Sequence, residues 1–595
     1  MKIQTVAAAV TLALSATLAM AAAPKDGTYQ SRVLGHNAPM NVVVTIAKGK
    51  IADINVLHNL ESPGVGKVAI DKLSQSIIKN QTTGVDNVTG ATLTSFALKQ
   101  GIMDCLEQAG ADEEVFSKPI QHKISKAPLK TRSEVVIVGG GGAGLAAAVS
   151  ALRHGASVTI IEKMGYLGGS TNVCGGAINA SDTKYQKALG IKDSPENHFN
   201  NTMKGGHMTN NPELVHYLTD NAKATLNWLE DMGLVVNPKV GAATGALYQR
   251  SHYPNPAGGN TYVRTLEHKL GLYGADRVKV LLETKATDLI VQNGRVVGVK
   301  AQGRDGTVIA TATKGVIMAT GGFGSNVEFR QKVNTGIWKE ADLGKAIGCS
   351  NISVAAQGDG LIMAEKAGAE LIGLADIQVH PNGTPGTGLM LDIKTSGRNR
   401  LFINENGDRF VNEGAARDVL SKAVFAQPHS TYWLVQNYLR YPDENAIDLL
   451  SGRTMHDMLE QGRVKKAKDL EELSQMTGMP LDHLKASIEE YNKAVRNKGT
   501  PDKFGFVASH TDDREMTKGP WYFAKKVPTI HHTMGGIRID TGAHALNAKG
   551  ERIKGLYAAG ETTGGIHGEN RLGGNAVADC MVFGRTAGAN AAAGK

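Results

Sequence analysis

Residues 134–162 read EVVIVGGGGAGLAAAVSALRHGASVTIIE, and the order of parts within them decides the fold. Residues 135–138 form a β-branched apolar run, the pattern of a fully buried strand. Gly139, Gly141 and Gly144 follow in G-x-G-x-x-G spacing. The pattern then predicts an Ala-rich helix over 145–154 and a second buried strand over 158–161, ending in Glu162. Each part has a mechanical reason. The first glycine permits the tight turn, the second lets a pyrophosphate approach the backbone, and the third lets helix and strand pack closely. Free N–H groups at the helix start face the phosphates, and an acid ending the second strand accepts hydrogen bonds from a ribose. This order of parts predicts a dinucleotide site.

The chain has 595 residues, too many for one hydrophobic core, so several domains are expected. Its net charge of +9 is spread along the sequence without a basic run, which gives no argument for nucleic acid as a partner. Cys105, Cys174, Cys349 and Cys580 are widely scattered and no C-x-x-C occurs. That spacing gives no zinc, iron–sulfur or covalent haem signature, so no metal site is assigned, and no disulfide framework is suggested. Residues 1–23 read as an export signal: Lys2 gives a positive start, residues 6–18 an apolar core, and Ala19-Met20-Ala21 a cleavage pattern. The apolar run is too short for a permanent anchor, and no later segment reads as a membrane span, so a periplasmic location is expected.

After the signal, strands are predicted over 40–46 and 51–56 with a turn at 47–50, then helices over 65–79 and 95–109. Between the helices, residues 86–95 (DNVTGATLTS) are small and hydroxyl-rich. Physically they suit a phosphate at a helix start, though an ordinary Thr/Ser cap is the favoured reading of the residues alone. Residues 119–131 lie in a Lys/Pro/Ser-rich stretch and read as a linker. The nucleotide domain occupies 132–376 and resumes at 531–595, because strand-like runs ending at Ala319 and Ala559 return to the same nucleotide from distant sequence. The segment between, 377–530, reads as an inserted cap whose motion gates the site.

Two resemblances sharpen this reading. Residues 86–94 resemble the flavin-transferase target motif of covalent FMN-binding domains, D-x-x-[ST]-G-A-[ST]-x-[ST], with Asp86, Gly90, Ala91 and Thr94 in register. The resemblance implies a domain over 24–118 that carries FMN on Thr94 through a phosphoester. From residue 132 onward the set ATGGF (319–323), HP (380–381), NEGAARD (412–418), HHTMGGI (531–537), AGETTGG (559–565) and NRLGGNA (570–576) resembles the fumarate reductase and succinate dehydrogenase flavoproteins. Within that superfamily it is most similar to the periplasmic flavocytochrome-type fumarate and urocanate reductases. The implied fold is α/β: a Rossmann-like FAD-binding domain with an inserted α+β capping domain, preceded by a small α+β FMN-binding domain.

The implied FAD contacts begin at Gly139, Gly141, Ala143 and Gly144, then Glu162 and Lys163. They continue through Gly169, Ser170, Thr171, Gly175 and Gly176. Further along are Thr320, Gly321, Gly322 and Asp359, and finally Glu561, Gly574 and Asn575.

The chemistry implied is reduction of an α,β-unsaturated carboxylate by hydride from the N5 of noncovalent FAD, with a proton from Arg417. Read alone, Arg417 beside Asp418 is a salt bridge, and His531 competes with a purely structural histidine. By resemblance Arg571 and His531 grip the substrate carboxylate and His532 stands behind them. His380 meets the far end. A guanidinium with pKa above ~12 is a weak acid, but a dry site disfavours the cation, and its charge stabilises a developing carbanion.

The sequence departs from fumarate reductases at Asp392-Ile393, where they carry Thr-Glu, and at Ser396, where they carry arginine. An Asp392 beside a second carboxylate costs about 4 kcal/mol at ~4 Å and an effective dielectric of ~20. The expectation is therefore a non-fumarate substrate, urocanate first, then aryl acrylates or methacrylate, then fumarate. Tyr253 is a candidate for ring stacking, though core packing is the commoner use. Arg398 or Asp392 is left to complete the proton relay. The expected electron donor is a separate periplasmic or membrane-bound cytochrome. Alternative classes are a dehydrogenase running oxidatively and a non-enzymatic flavin electron carrier.

Overall fold

A computed structural model of the chain describes residues 23–594 apart from 244, 246, 396, 449–452 and 510. The export signal, except Ala23, and Ser396 lie outside the described residues.

Alternation builds the first unit. In β2 (Pro39–Ala47), Met40, Val42, Val44 and Ile46 face inward and their neighbours face out, as a half-buried antiparallel strand requires. It lies between β1 (Gly27–Leu34) and β3 (Lys50–Leu57). The β2–β3 link turns at Lys48 and Gly49, both with positive φ (55° and 69°), the geometry of a tight hairpin. Helices α1 (Gly66–Asn80) and α2 (Thr92–Gln108) bury Leu73, Ile77, Leu98 and Ile102 in the same core. Helix α2 begins three residues before the expected start at 95, so Thr94 sits inside its first turn.

The run at 135–138 is the inner end of a longer strand, β4 (Leu129–Val138), which starts inside the expected linker. It leads into α3 (Gly142–Arg153) and β5 (Val158–Ile161). With β6 (Val278–Leu281) and β7 (Gly306–Met318), the parallel order is β7-β4-β5-β6.

The cap is an antiparallel sheet in which β8 (Ile377–Gly383) pairs with the long β9 (Trp521–Thr533). Strands Tyr432–Asn437, Arg400–Ile403 and Lys465–Ala467 complete it, and Leu484, Ile488 and Tyr491 pack over one face. A helix between β8 and β9, α4 (Arg417–Phe425), packs against β8 and has Arg417 as its first residue. The expected boundary at 530/531 falls inside β9, so this strand carries His531 and His532 out of the cap without a linker.

Strand β10 (Arg552–Ala558) then returns beside β7, so the cap sheet is carried between two stretches of the nucleotide domain. The terminal helix α5 (Asn575–Ala593) closes against α3: a Cβ at Gly588 would lie 2.2 Å from Ala147 O, so this approach requires glycine.

Candidate active site and flavin cradles

The β4–α3 turn opens into a groove of about 850 Å³. Gly139, Gly141, Ala143, Glu162, Lys163, Gly169, Ser170, Thr171, Thr320, Gly321, Gly322, Asp359 and Glu561 all line it. The residues fit FAD. Helix α3 has no side-chain cap at Gly141; Gly142 N–H donates to Thr171 Oγ1 (3.1 Å), and the Ala143 and Gly144 N–H groups behind it suit a pyrophosphate. The buried Glu162 carboxylate accepts Gly140 N–H (2.7 Å) and Met164 N–H (2.8 Å), which aims it for a ribose. Lys163 and Lys285 both pair with Asp359 (2.6 and 3.1 Å). Burial pushes the Glu561 carboxyl up to about 7, against the Thr533 N–H bonded to it.

Five expected contacts fall outside this lining, each with a packing reason or an open position. A Cβ at Gly144 would meet Gly139 O at 1.9 Å, so its role is close helix–strand approach. Asn575 gives Nδ2 to Thr202 and its Oδ1 lies at 2.8 Å from Asn179 Nδ2 and 3.1 Å from His198 Nε2. It ties elements together, and Gly574 before it makes room for the Asn179 side chain. Gly176 lies against Gly258, and Gly175 faces open space. Sequence reasoning missed Met164, Met363 and Cys580, apolar or weakly polar positions in the same wall, which no motif distinguishes from core.

The second cradle is built against the first. Met164 lines the groove and also packs, with Tyr166, into the core of the β1–β3 unit. Gly165 N–H donates to Thr89 O (3.1 Å), Thr89 N–H to Glu283 (3.2 Å), and Arg304 reaches Glu283 and the Asn87 carbonyl. The 86–94 loop therefore lies directly on the groove wall. Helix α2 also lacks a side-chain cap, at Ala91, so its first turn around Thr94 fits a phosphate.

Four distant segments converge on the substrate side. Gln378 Oε1 accepts Arg417 Nη1 (2.9 Å) and Arg571 Nη2 (2.8 Å), all three side chains being buried. Two guanidiniums thus share one neutral amide oxygen. Burial, then the neighbouring Arg571, pushes Arg417 down to about 9, and burial pushes Arg571 down to about 10. Burial and these guanidiniums hold His531, His380 and His532 well below the usual imidazole value, hence neutral.

The β8–β9 register pairs Gln378 with His532 and Val379 with Ile530, skipping His531. This bulge lets two consecutive histidines approach the arginine pair. Ser350 Oγ lies 2.8 Å from His531 Nδ1 and 3.1 Å from the Ile530 carbonyl. Its single proton selects the tautomer: given to Nδ1, it leaves Nε2–H as a donor. The Arg417–Asp418 salt bridge does not form; Asp418 faces His207 at 3.6 Å. Arg417 Nε, Arg571 Nε, His380 Nδ1 and His532 Nδ1 are buried without a hydrogen-bond partner. A cavity of about 540 Å³ beside them is lined by His380, Thr395, Gly397, Arg400 and Arg417. This donor set fits an anion that brings its own acceptors.

Three expectations are corrected. Asp392 does not line this cavity; it is ion-paired with the fully buried Lys526 and accepts Thr384 Oγ1 (3.1 Å). The Lys526 ammonium, carried on β9, offsets the Asp392 charge and weakens the expected repulsion of a substrate carboxylate. Arg398 donates to Asp513 (2.6 Å), and neither Asp392 nor Arg398 lines the cavity beside Arg417. Tyr253 packs over Gly241 and lines neither the groove nor the cavity. Removing the Asp392 charge should strand Lys526: Asp392→Asn is expected to lower unfolding stability by about 3–5 kcal/mol. Chemical denaturation checks this, and an unchanged midpoint would contradict it. Gln378, also missed, had a faint signal: it lies two residues before His380, on the same face of a strand.

Residues 134–577 match the FAD binding domain family, and residues 35–107 match the FMN-binding domain family. The chain therefore carries a domain for each flavin. It is similar to a urocanate reductase of Eggerthella lenta, at 36% identity over 97% of this chain and 94% of that one. It is 34% identical to an NADH:acrylate oxidoreductase of Vibrio harveyi over 95% of its own length, and spans 61% of that protein. A cytochrome-type fumarate reductase of Shewanella frigidimarina is 35% identical over 79% of each chain. Among solved structures, the open conformation of a flavocytochrome c3 fumarate reductase superposes with a TM-score of 0.65, at 32% identity and 79% coverage of both chains.

Proposed function

The chain belongs to the family of FAD-dependent oxidoreductases that contains the fumarate and urocanate reductases, and from that membership we propose that it reduces an α,β-unsaturated carboxylate, urocanate first. The observation that carries this reading is the pair of buried guanidiniums sharing the Gln378 oxygen. An enoate carboxylate supplies what that pair lacks. Arg571 and His531 hold it, which fixes the adjacent double bond and polarises it toward an enolate. When bound, FAD supplies the two-electron reduction of the alkene. Arg417 gives its proton to the carbon that becomes carbanionic. Its lowered affinity for that proton, a consequence of its burial, makes a guanidinium a workable acid there.

The match to a urocanate reductase along nearly the whole of both chains supports urocanate over other enoates. A second reading, fumarate, is favoured by Arg400, which lines the cavity shared by Arg417 and His380 and whose buried Nε has no hydrogen-bond partner. An anaerobic screen of urocanate, acrylate, methacrylate and fumarate with reduced viologen tests the reading. Urocanate is expected to oxidise viologen fastest. Rapid fumarate turnover with urocanate inert would select the second reading, and inertness toward every enoate would remove both. Dye-linked oxidation of the saturated acids in the same assays would reveal a dehydrogenase.

Residues 1–23 we read as directing export to the periplasm, where a cytochrome hands electrons to FMN on Thr94 and thence to FAD. The 86–94 loop lying on the FAD groove wall supports that order. Among the described residues no helix is long and apolar enough to cross a membrane.

A further inference from the structure

The hydroxyl of Thr94 is already engaged. It donates to Glu61 Oε2 at 2.6 Å, and both side chains are buried. The other carboxylate oxygen accepts Asn37 N–H at 2.8 Å. Gly35 and Gly66 close around it: a Cβ at either would come within 2.6 or 2.4 Å of a Glu61 oxygen. A carboxylate fixed in this way, at hydrogen-bond distance from a hydroxyl, is the arrangement of a nucleophile with its base. Neither residue lines the FAD groove or the cavity beside Arg417.

We infer that Glu61 is the general base through which Thr94 acquires its flavin. The inference rests on the reading of Thr94 as the attachment residue. With a flavin adenine dinucleotide as donor, presented by a flavin transferase, Thr94 Oγ attacks the phosphorus nearer the flavin. A Thr94 Oγ–P bond forms as the proton passes to Glu61 Oε2. The P–O bond to the adenylate half breaks, and AMP leaves with the electron pair. No oxidation state changes. The charge of the new phosphodiester meets the uncapped N–H groups at the start of α2.

The test uses the full chain, purified with FAD but without covalent flavin, then treated with flavin transferase and FAD. The readouts are flavin fluorescence that survives denaturation and intact mass. Wild type is expected to gain one FMN, and Thr94→Ala none. Glu61→Gln keeps the size of the side chain but not the base, and is expected to label more slowly by roughly 10²–10⁴-fold. Its FAD content and melting temperature should stay at wild-type levels, which separates a base from a packing role. Glu61→Asp is expected to label at an intermediate rate. Wild-type labelling rates in Glu61→Gln, or in Glu61→Asp should the Gln variant fail to fold, would overturn the role of Glu61 and leave Thr94 as the acceptor. Undiminished labelling of Thr94→Ala would overturn the attachment reading itself.

Discussion

Replacing Arg417 by Ala is expected to lower enoate turnover by at least about 10³-fold, or roughly 4 kcal/mol of transition-state stabilisation, with FAD still bound. Two losses combine in this one variant, because the guanidinium both gives the proton and offsets the developing negative charge. FAD retention follows from the geometry, since Arg417 enters from the cap and does not line the FAD groove. The pH profile sharpens the expectation. Arg417 is pushed down to about 9, so its proton is present below that pH and lost above it. Wild-type kcat/KM should therefore fall as pH rises through about 9. Arg417→Lys begins from an ordinary value near 10.4 in the same dry site, so it should retain some turnover with its alkaline limb moved lower. Steady-state kinetics with reduced viologen between pH 6 and about 10 measure both. An Ala variant that turns over normally, or a Lys variant whose alkaline limb does not move, would exclude Arg417 as the acid.

The second large effect is expected from adding a charge. Gln378→Glu places a carboxylate where both guanidiniums now meet an amide oxygen. The pair would then bind the protein's own anion in place of the substrate's. Each charge-assisted hydrogen bond diverted in this way is worth about 1.5–3 kcal/mol, so kcat/KM should fall by roughly 10²–10⁴-fold. Arg417 would also hold its proton more tightly, which lowers kcat in addition to raising KM. Stability should hold or rise, because two buried cations gain a counter-charge. Gln378→Leu is the contrast: the guanidiniums lose their acceptor, stability drops, and the site keeps its appetite for an anion. Thermal unfolding set beside kcat and KM distinguishes the two variants. Wild-type kcat/KM in Gln378→Glu would mean that the arginine pair does not grip the substrate.

Parts of the site were legible because they are local. The glycine spacing after residues 135–138 is tied to one turn, and the turn is tied to one cradle; thirteen of the expected contacts line the groove. The five that do not are small residues or an amide whose use depends on what packs opposite. Arg417, Arg571, His380 and His531 were found through family motifs, since no periodicity brings residues 380, 417, 531 and 571 together. Read from its neighbours alone, Arg417 belonged to Asp418, and the fold gave it instead to Gln378.

The sequence by itself determined the nucleotide-binding turn and the strand alternation of the first unit and, through its resemblances, a domain for each flavin. Strand alternation, helix starts and glycine turns are set by residues within a few positions of one another. Only the tertiary structure decided that Asp392 answers Lys526 across 134 residues, that Thr94 answers Glu61 across 33, and that Gln378 holds two arginines from opposite sides of the cleft. A buried charge or hydroxyl must be matched wherever the chain closes over it, and which partner stands there is fixed by packing between elements rather than by distance along the chain.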